Sequence, residues 1–426
     1  MKISIFWFRR DLRLIDNTAL HYALESGRPV KALFIFDENI IEGLAENDAR
    51  LNFIYEQLQI IHEKLTQYGT ALEVMKGKPE NCWKQLIQDY EIDRVYINRD
   101  YEPYAIQRDK NVEEQLSNHG IELKTFKDQV IFEAREILKE DGEPYVVYTP
   151  YRKKWESTFI STEHTPLKNT QFNHFYPFKK SFPTRNTLNI KNNKIKVPDY
   201  DLSNIKNYTQ TRDYPSIETS RLGPHLRFGT VSIRQLIKKI GKKEETFKSE
   251  LIWREFFMQI LFHYPKTAER NFKSKYDGVE WRNDEADFNK WCEGKTGYPI
   301  VDAGMRQLNE TGFMHNRLRM ITAGFLCKHL LIHWSWGEAY FAQKLLDYEL
   351  ASNVGNWQWA AGTGVDAAPY FRIFNPITQT DKFDKDKTFI KKWLPEYGSE
   401  DYPEPMVDHK VARERCLKVY KKGIGM

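Results

Sequence analysis

Five short apolar runs separated by helical patterns fill the first 128 residues of this 426-residue chain. The runs are ISIFWF (3–8), VKALFIF (30–36), ALEVMKG (71–77), RVYINRD (94–100) and IELKTFKD (121–128). Strands that are separated by helices usually pair in parallel and are buried on both faces. The pattern therefore predicts an α/β domain over residues 1–128 with a Rossmann-like, five-stranded parallel sheet. No GxGxxG follows the first strand, where FRRDLRL stands instead, so the usual evidence for dinucleotide binding is missing.

The pattern changes twice after residue 128. Residues 129–205 mix proline, asparagine, lysine and aromatic residues without a period, which predicts a long interdomain linker with a short helix near Tyr151–Phe159. From residue 206 onward the strands disappear. Segments such as SELIWREFFMQILFHY and FMHNRLRMITAGFLCKHLLIHW have helical periodicity. The sequence thus predicts an all-α C-terminal domain over residues 206–426.

Composition narrows the class of protein. The net charge of +5 on a chain with 29% charged residues is a weak basic bias, which permits contact with a polyanion without requiring it. The four cysteines are scattered and form no CxxC, which argues against a disulfide framework or zinc site and favours a cytoplasmic location. The most apolar later run is interrupted by Lys328 and His329, so we expect no membrane span. We also expect no metal site, because HExxH and paired histidines with ligand spacing are absent.

The stretch Gly312–Pro376 concentrates large aromatic and polar residues. Seven of the eleven tryptophans lie in or just before it: Trp253, Trp281, Trp291, Trp334, Trp336, Trp357 and Trp359. Such a density of rings indicates a site for a flat ligand, although core packing alone also explains each tryptophan taken singly.

Several polar residues recur at helical spacing. Glu250, Trp253 and Arg254 share one helix face, with an intrahelical Glu–Arg ion pair as the simpler alternative. Asn316 and Arg319 share another face, and a buried arginine needs a carboxylate partner, for which Asp347 is a candidate. In TSRLGPHLRFG, we expect Thr219 or Ser220 to cap a helix whose N-terminus either binds a phosphate or is simply capped.

Taken together, several long motifs resemble the photolyase/cryptochrome flavoproteins, and most closely the class I cyclobutane pyrimidine dimer (CPD) photolyases. The motifs are WFRRDLRLIDNTAL, TSRLGPHL, ELIWREFF, GKTGYPIVDAGMRQL, GFMHNRLRM and NWQWAAGTGVDAAPYFRIFNP. The resemblance spans nearly the whole chain and is weakest in residues 156–205. It implies an α/β antenna domain, a long linker and a helical domain that binds FAD.

The resemblance implies which residues bind FAD and which move electrons. The implied cofactor-binding residues are Tyr208, Thr219, Ser220, Arg221, Leu222, Gly223, Phe247, Arg254, Phe313, Asn316, Arg319, Asp347, Glu349 and Asn353. Asn353 matches the residue that faces flavin N5, and asparagine there is typical of photolyases. Trp357, Trp334 and Trp281 match the tryptophan chain that photoreduces the flavin. Phe247 and Phe313 stand where the family often has tryptophan, and Glu349 replaces a frequent aspartate.

The resemblance also implies a site for UV-damaged DNA. The implied lesion- and DNA-binding residues are Arg212, Glu250, Trp253, Arg317, Met320 and Trp359. Glu250 matches the carboxylate that hydrogen-bonds the flipped-out dimer, and Trp253 and Trp359 match the rings that clamp it. The implied activity is that of a deoxyribodipyrimidine photo-lyase, a carbon–carbon lyase that uses blue light.

The antenna chromophore is less well defined. Folate-binding members have an Asn-Glu pair where this chain has Tyr104-Ala105, and a Cys-Lys pair where it has Ala268-Glu269. These departures argue against folate. Arg50, Asp100 and Lys248 resemble residues of members that carry a deazaflavin or a second flavin, and the absence of any antenna chromophore stays open.

Two other functions remain as alternatives. A cryptochrome-like photoreceptor would bind FAD without repairing DNA, but Glu250, Trp253 and Asn353 favour repair. A (6-4) photoproduct photolyase would need a histidine pair in the lesion pocket, where MHNRLRM supplies one histidine followed by Asn316. We expect a monomer without an obligatory protein partner.

Overall fold

The computed structural model describes residues 1–425, without the side chain of Lys242. The predicted end of the helical domain, Met426, lies outside the described residues. The strands are β1 (Ile3–Phe8), β2 (Val30–Asp37), β3 (Glu73–Gly77), β4 (Ile92–Asn98) and β5 (Glu122–Phe126). All five predicted strands are confirmed, with ends that differ by a few residues.

The helices follow in chain order. The first six are α1 (Thr18–Leu24), α2 (Glu38–Ile41), α3 (Ala49–Thr66), α4 (Pro79–Asp89), α5 (Pro103–Ser117) and α6 (Tyr148–Thr158). The next six are α7 (Tyr208–Thr211), α8 (Gly223–Arg227), α9 (Ile233–Lys239), α10 (Glu245–His263), α11 (Glu285–Glu293) and α12 (Pro299–Thr311). The last six are α13 (Asn316–Gly324), α14 (Trp334–Lys344), α15 (Leu350–Ala361), α16 (Pro376–Phe383), α17 (Thr388–Trp393) and α18 (His409–Gly423).

The sheet is parallel throughout, in the order β3-β2-β1-β4-β5. Every residue of β1 is buried, as expected when helices or connecting segments cover both faces. Side chains alternate between two cores, with Phe6 and Phe8 on one side and Ile5 and Trp7 on the other. The fold is therefore the predicted doubly wound α/β sheet followed by helices.

The chain divides into two compact units that do not follow the simple order of domain, linker and domain. The first unit comprises residues 1–137, 155–199 and 222–242, and the second comprises residues 138–154, 200–221 and 243–426. Much of the connecting segment is packed rather than loose, since Phe175, Leu188 and Ile190 are buried in one core of the sheet. The division into independent domains at residues 128 and 205 stays a prediction.

The core of the second unit contains Trp291, Trp334 and Trp357, all nearly fully buried. The segment from Phe313 to Trp334, predicted as one helical stretch, is interrupted in the structure. Helix α13 ends at Gly324, a π-helical turn follows at Phe325–His329, and α14 starts only at Trp334. The interruption has a local cause, since the His333 side chain accepts a hydrogen bond from Ser335 N–H and so starts a new helix. Across residues 1–425, no helix is long and apolar enough to cross a membrane.

Candidate functional site

Helix α10 carries two of the predicted lesion residues, Glu250 and Trp253, and the predicted cofactor residue Arg254. Glu250, Trp253 and Arg254 are partly buried on this helix. The Glu250 carboxylate does not pair within the helix but accepts a hydrogen bond of 2.6 Å from Arg212, the C-cap of α7. Burial raises the pKa of the Glu250 carboxyl, and the Arg212 guanidinium opposes that rise. Two residues that were predicted separately thus form one ion pair.

Trp253 has an aromatic partner that sequence reasoning missed. Its ring stacks on the ring of Tyr148, with centroids 3.7 Å apart and planes inclined by 9°. The Tyr148 hydroxyl donates to the backbone oxygen of Ser249 (2.8 Å), which fixes the tyrosine against α10. Tyr148 falls in the segment that was predicted as a linker. The signal that could have revealed it is the run of tyrosines in YVVYTPY (145–151).

The predicted pair between Arg319 and Asp347 is confirmed. Nη2 of Arg319 lies 2.8 and 3.1 Å from the two carboxylate oxygens of Asp347. Nε of Arg319 also donates to the backbone oxygen of Met314 (2.9 Å), so the guanidinium is held from two directions. Two anchors of this kind fix the plane of an arginine and leave its remaining N–H groups for a ligand.

Asn353 is buried on α15 and is oriented by a residue of α14. Its side-chain nitrogen donates to Oε1 of Glu338 (2.9 Å) and to the Glu338 backbone oxygen (3.1 Å). Because both acceptors are oxygens, the amide NH₂ must face Glu338, and the amide oxygen turns elsewhere. Burial raises the pKa of the Glu338 carboxyl. Glu338 was not predicted from the sequence, where it looks like an ordinary polar residue of an amphipathic helix.

Arg317, predicted to contact DNA phosphates, also has a carboxylate partner. Its guanidinium lies 2.7 Å from Asp213 and sits over the Phe383 ring, 4.2 Å from the centroid. Met320 lies partly buried on the same helix, α13, and Trp359 lies partly buried on α15. Both arginines that were predicted to contact DNA, Arg212 and Arg317, thus form an ion pair with a carboxylate.

The segment before α8 departs from the prediction. Neither Thr219 nor Ser220 caps the helix, which begins at Gly223 with Leu222 at the N-cap and without a side-chain hydrogen bond. Proline at the second position of α8 stabilises its first turn instead. Arg221 adopts the left-handed conformation with φ of 53°, pairs with Glu218 (2.6 Å) and covers the face of Phe313 at 3.7 Å.

Cavities flank this segment in the second unit. A cavity of about 240 Å³ is lined by Tyr208, Thr219 and Ser220 among others. Phe247 packs its ring edge-on against Tyr208, with centroids 5.2 Å apart. Glu349 is buried at the N-cap of α15, and Asn316 is exposed at the start of α13.

The three predicted electron-transfer tryptophans differ in their surroundings. Trp334 and Trp357 are buried, whereas Trp281 is only partly buried. The ring of His333 lies 5.2 Å from the centroids of both Trp281 and Trp334 and so connects them. Trp357 contacts helix α14 at Gly337, where an added Cβ would lie 2.1 Å from the Trp357 ring. The absence of a side chain at Gly337 is what lets α14 approach Trp357 this closely.

Comparison with known proteins now identifies the family. Residues 4–171 match the family model for DNA photolyase, and residues 247–400 match the model for the FAD binding domain of DNA photolyase. A deoxyribodipyrimidine photo-lyase from Alkalihalophilus pseudofirmus is 37% identical over 98% of each chain. The chain belongs to the DNA photolyase family.

Solved structures of the family are similar over the whole chain. A class III photolyase from Agrobacterium tumefaciens is 34% identical, with a TM-score of 0.89 over 100% of this chain and 98% of that one. An archaeal photolyase from Sulfolobus tokodaii, solved with two FAD molecules, is also 34% identical, with a TM-score of 0.85 over 98% of this chain and 99% of that one. The photolyase fold predicted from the motifs is thus confirmed.

Residues of the second unit fit FAD, the cofactor that the matching photolyase family model names. Thr219 and Ser220 line the cavity of about 240 Å³, and the left-handed backbone at Arg221 is of the kind found in anion-binding turns. The Arg319–Asp347 ion pair gives the site a fixed pair of charges, and the Asn353 amide gives it a fixed dipole. Across residues 1–425, no cluster of three or more potential metal ligands is found.

The residues predicted for a photolyase antenna chromophore are engaged within their own units. Arg50 pairs with Asp48 (2.6 Å) in the first unit. Asp100 accepts from Arg10 (3.0 Å), and although burial alone would raise its pKa, Arg10 and the other arginines lower it. Lys248 belongs to the second unit, where it pairs with Glu245 at 2.9 Å.

Proposed function

We propose that this chain is a blue-light-driven photolyase that repairs cyclobutane pyrimidine dimers in DNA. The observation that carries the proposal is the Glu250–Arg212 pair beside Trp253 on α10, because it offers a carboxylate and a flat ring to a pyrimidine pair. Within the family we assign the chain to the CPD enzymes of class I, from the motifs in its sequence.

Arg319, Asp347 and Asn353 would hold FAD, which in its reduced form would supply light-driven one-electron chemistry for opening the cyclobutane ring. We propose that Arg319, held by Asp347 and by the Met314 carbonyl, presents fixed N–H groups to the cofactor. The NH₂ group of Asn353 donates to Glu338, so we propose that Asn353 presents its amide oxygen to the cofactor. A preorganised environment of this kind needs no rearrangement at the moment of reaction.

The lesion would be bound out of the helix between aromatic rings. Flipping bases of one strand out of the duplex costs a few kcal/mol, and the cost is lowest for damaged bases, which are already poorly paired. Stacking on Trp253 and Trp359 offsets this cost, at roughly 1–3 kcal/mol for each base. Tyr148 stacks on one face of Trp253, so that the tryptophan ring is already held in place before DNA binds.

Glu250 would contact the polar edge of the dimer. Arg212 binds Oε1 of Glu250, and we propose that Oε2 faces the lesion. The remaining N–H groups of Arg212 and Arg317 would reach backbone phosphates, which position the duplex without reading its sequence. Met320 would form an apolar wall beside them.

Trp357, Trp334 and Trp281 would carry electrons from the solvent to the cofactor and keep it reduced. The increase in exposure from Trp357 and Trp334 to Trp281 agrees with this direction. We also propose that the protein is a cytoplasmic monomer, and that Arg50, Asp100 and Lys248 contribute to binding a deazaflavin or second flavin. An absorption spectrum of the cofactors extracted from the purified protein tests that last assignment, and a folate spectrum would contradict it.

The direct test uses purified protein with reduced FAD and a single-stranded oligonucleotide carrying one thymine dimer. We expect blue light to restore the two thymines, detected by chromatography, with no conversion in the dark. No conversion in the light by fully reduced protein would contradict the proposed activity. A matched oligonucleotide with a (6-4) photoproduct serves as the control, and we expect it to remain unchanged.

A further inference from the structure

Several buried side-chain nitrogens of the second unit have no hydrogen-bond partner, and one of them belongs to His315, which lines a cavity. His315 is 1% exposed, and its Nε2 makes no hydrogen bond. The other ring nitrogen, Nδ1, accepts a hydrogen bond of 3.2 Å from the N–H of Arg317 and so caps α13. In a neutral imidazole the proton must then be on Nε2. Nε2–H is therefore a buried donor without an acceptor, which is rare and calls for an explanation.

The ring remains neutral at ordinary pH. The pKa of His315 is lowered to about 4, mainly by burial and also by Arg319, Arg317 and Arg221, while Asp213 opposes the shift. The group is thus an N–H donor in positively charged surroundings and not a charged imidazolium. An acceptor that carries negative charge suits such a donor best.

A cavity of about 50 Å³ adjoins this histidine. It is lined by His315, Arg221 and Lys392 together with the hydroxyl groups of Ser216, Thr219 and Thr388. The only carboxylate among the lining residues is Glu218, which is largely exposed and already paired with Arg221 at 2.6 Å. Helix α13 starts at the next residue, Asn316, and its N-terminus adds a partial positive charge. Among the polar residues that line the cavity, hydrogen-bond donors and positive charges outnumber the one carboxylate, so the cavity suits an anion.

We propose that Nε2–H of His315 donates a hydrogen bond to a phosphate oxygen of the FAD diphosphate. This assignment rests on the proposed function, because Thr219, Arg221 and Phe313, which also line the cavity, are proposed cofactor residues. Thr219 lines the larger cavity beside Tyr208 and Ser220 as well, which makes the two cavities neighbours along one binding segment. His315 would then have two roles, capping α13 with one nitrogen and binding the cofactor with the other.

The test separates these two roles with one substitution. Asparagine is among the best N-cap residues, so His315→Asn keeps an acceptor for the Arg317 N–H. Its amide nitrogen takes the place of the ring Cδ2, so the donor at the position of Nε2 is lost. We expect apoprotein with His315→Asn to bind FAD at least about tenfold more weakly than wild type, measured by quenching of flavin fluorescence. Riboflavin, which has no phosphate, should bind both proteins equally. Equal FAD affinity, or an equal loss for riboflavin, would overturn the proposal.

Two controls sharpen the result. His333 caps α14 in the same way, accepting from Ser335 N–H at 3.2 Å, so His333→Asn tests whether changing a histidine cap alone weakens FAD binding. Inorganic phosphate added to wild-type apoprotein should compete with FAD and should compete less well in His315→Asn. Phosphate that binds without competing would show a free-anion site and overturn the assignment to the cofactor.

A second variant keeps the proposal testable if His315→Asn does not fold. Lys392 is exposed on α17, so Lys392→Met should fold normally while removing one positive charge from the cavity. We expect weaker FAD binding with a smaller dependence on salt, and unchanged FAD affinity would overturn the proposal. If the wild-type apoprotein binds neither riboflavin nor FAD, the result contradicts the proposed function as a whole and not only the role of His315.

Discussion

The Glu250 carboxylate accepts a hydrogen bond of 2.6 Å from Arg212, so the proposed lesion acceptor and a proposed phosphate contact support one another. Glu250→Gln keeps the shape and an oxygen for Arg212 but removes the negative charge. We expect the repair yield per absorbed photon to fall about twofold to tenfold, with FAD content unchanged. Repair of a thymine-dimer oligonucleotide and flavin absorbance measure the two quantities.

The matched control for this variant is Glu293→Gln, which neutralises an exposed carboxylate paired with Lys295 far along the chain. It should leave repair and FAD content unchanged. A Glu250→Gln protein that loses FAD in proportion to repair would show that the residue acts on the cofactor site instead.

The stack of Trp253 on Tyr148 predicts how the tyrosine contributes to lesion binding. Tyr148→Phe keeps the ring and should retain lesion affinity, although it loses the hydrogen bonds of the hydroxyl group to Ser249. Tyr148→Leu removes the aromatic support, so we expect the affinity for dimer-containing DNA to fall about threefold to tenfold. Fluorescence anisotropy with damaged and undamaged oligonucleotides checks this, and equal losses in both variants would assign the effect to the hydroxyl.

Trp357 is expected to matter for photoreduction and not for repair itself. Phenylalanine fills most of the buried space but is much harder to oxidise, so Trp357→Phe should strongly slow light-driven reduction of FAD. Protein reduced chemically with dithionite should still repair DNA at close to the wild-type rate. Equal loss of both activities would mean that Trp357 acts through packing.

Gly337 offers an independent way to move Trp357 without replacing it. A Cβ at this position would lie 2.1 Å from the ring, so Gly337→Ala must displace either α14 or the tryptophan. We expect a loss of roughly 1–3 kcal/mol in the free energy of unfolding, together with slower photoreduction. Gly324→Ala is the control, since its added Cβ would meet only Phe374 at 3.9 Å and should be tolerated. A stable Gly337→Ala protein would contradict the close packing described above.

Buried histidines predict a loss of stability in acid. The pKa of His329 is lowered to about 3, mainly by burial and also by His409 and Arg415. Between about pH 6.5 and 3 the unfolded chain binds a proton here that the folded chain does not, so the free energy of unfolding falls as the pH falls. His329→Gln should reduce this slope by about 1.4 kcal/mol per pH unit between pH 6 and 4, measured by urea unfolding with saturating FAD. An unchanged slope would mean that His329 is protonated in the folded protein.

The strands and most helices could be predicted because they depend on local periodicity. The buried run of β1 and the helical faces of α10 and α13 are visible in a few consecutive residues. The partnership of Arg319 with Asp347 followed from a general requirement, since an arginine withdrawn from water needs a carboxylate. No such requirement specifies which carboxylate Arg212 or Arg317 will meet.

The unpredicted parts depend on contacts between distant segments. Tyr148 meets Trp253 across about a hundred residues, and Glu338 meets Asn353 on a different helix. The sequence predicted that α8 starts after Thr219 or Ser220, because both are good capping residues. In the structure, Arg221 has a left-handed conformation and the helix starts only at Gly223, just before Pro224. The unpartnered Nε2 of His315 becomes visible only when all of its neighbours are known.

The backbone passes from one compact unit to the other five times, and the short segment 138–154 carries Tyr148 into the second unit. A gene fragment that begins at residue 206 would encode most of the tryptophans and all of the Arg319–Asp347 pair, yet it would lack the ring behind Trp253. Recombination with a relative at a single crossover point between residue 154 and α10 would likewise separate Tyr148 from Trp253. New variants assembled from family members should therefore exchange residues 138–154 together with α10, as one inherited block.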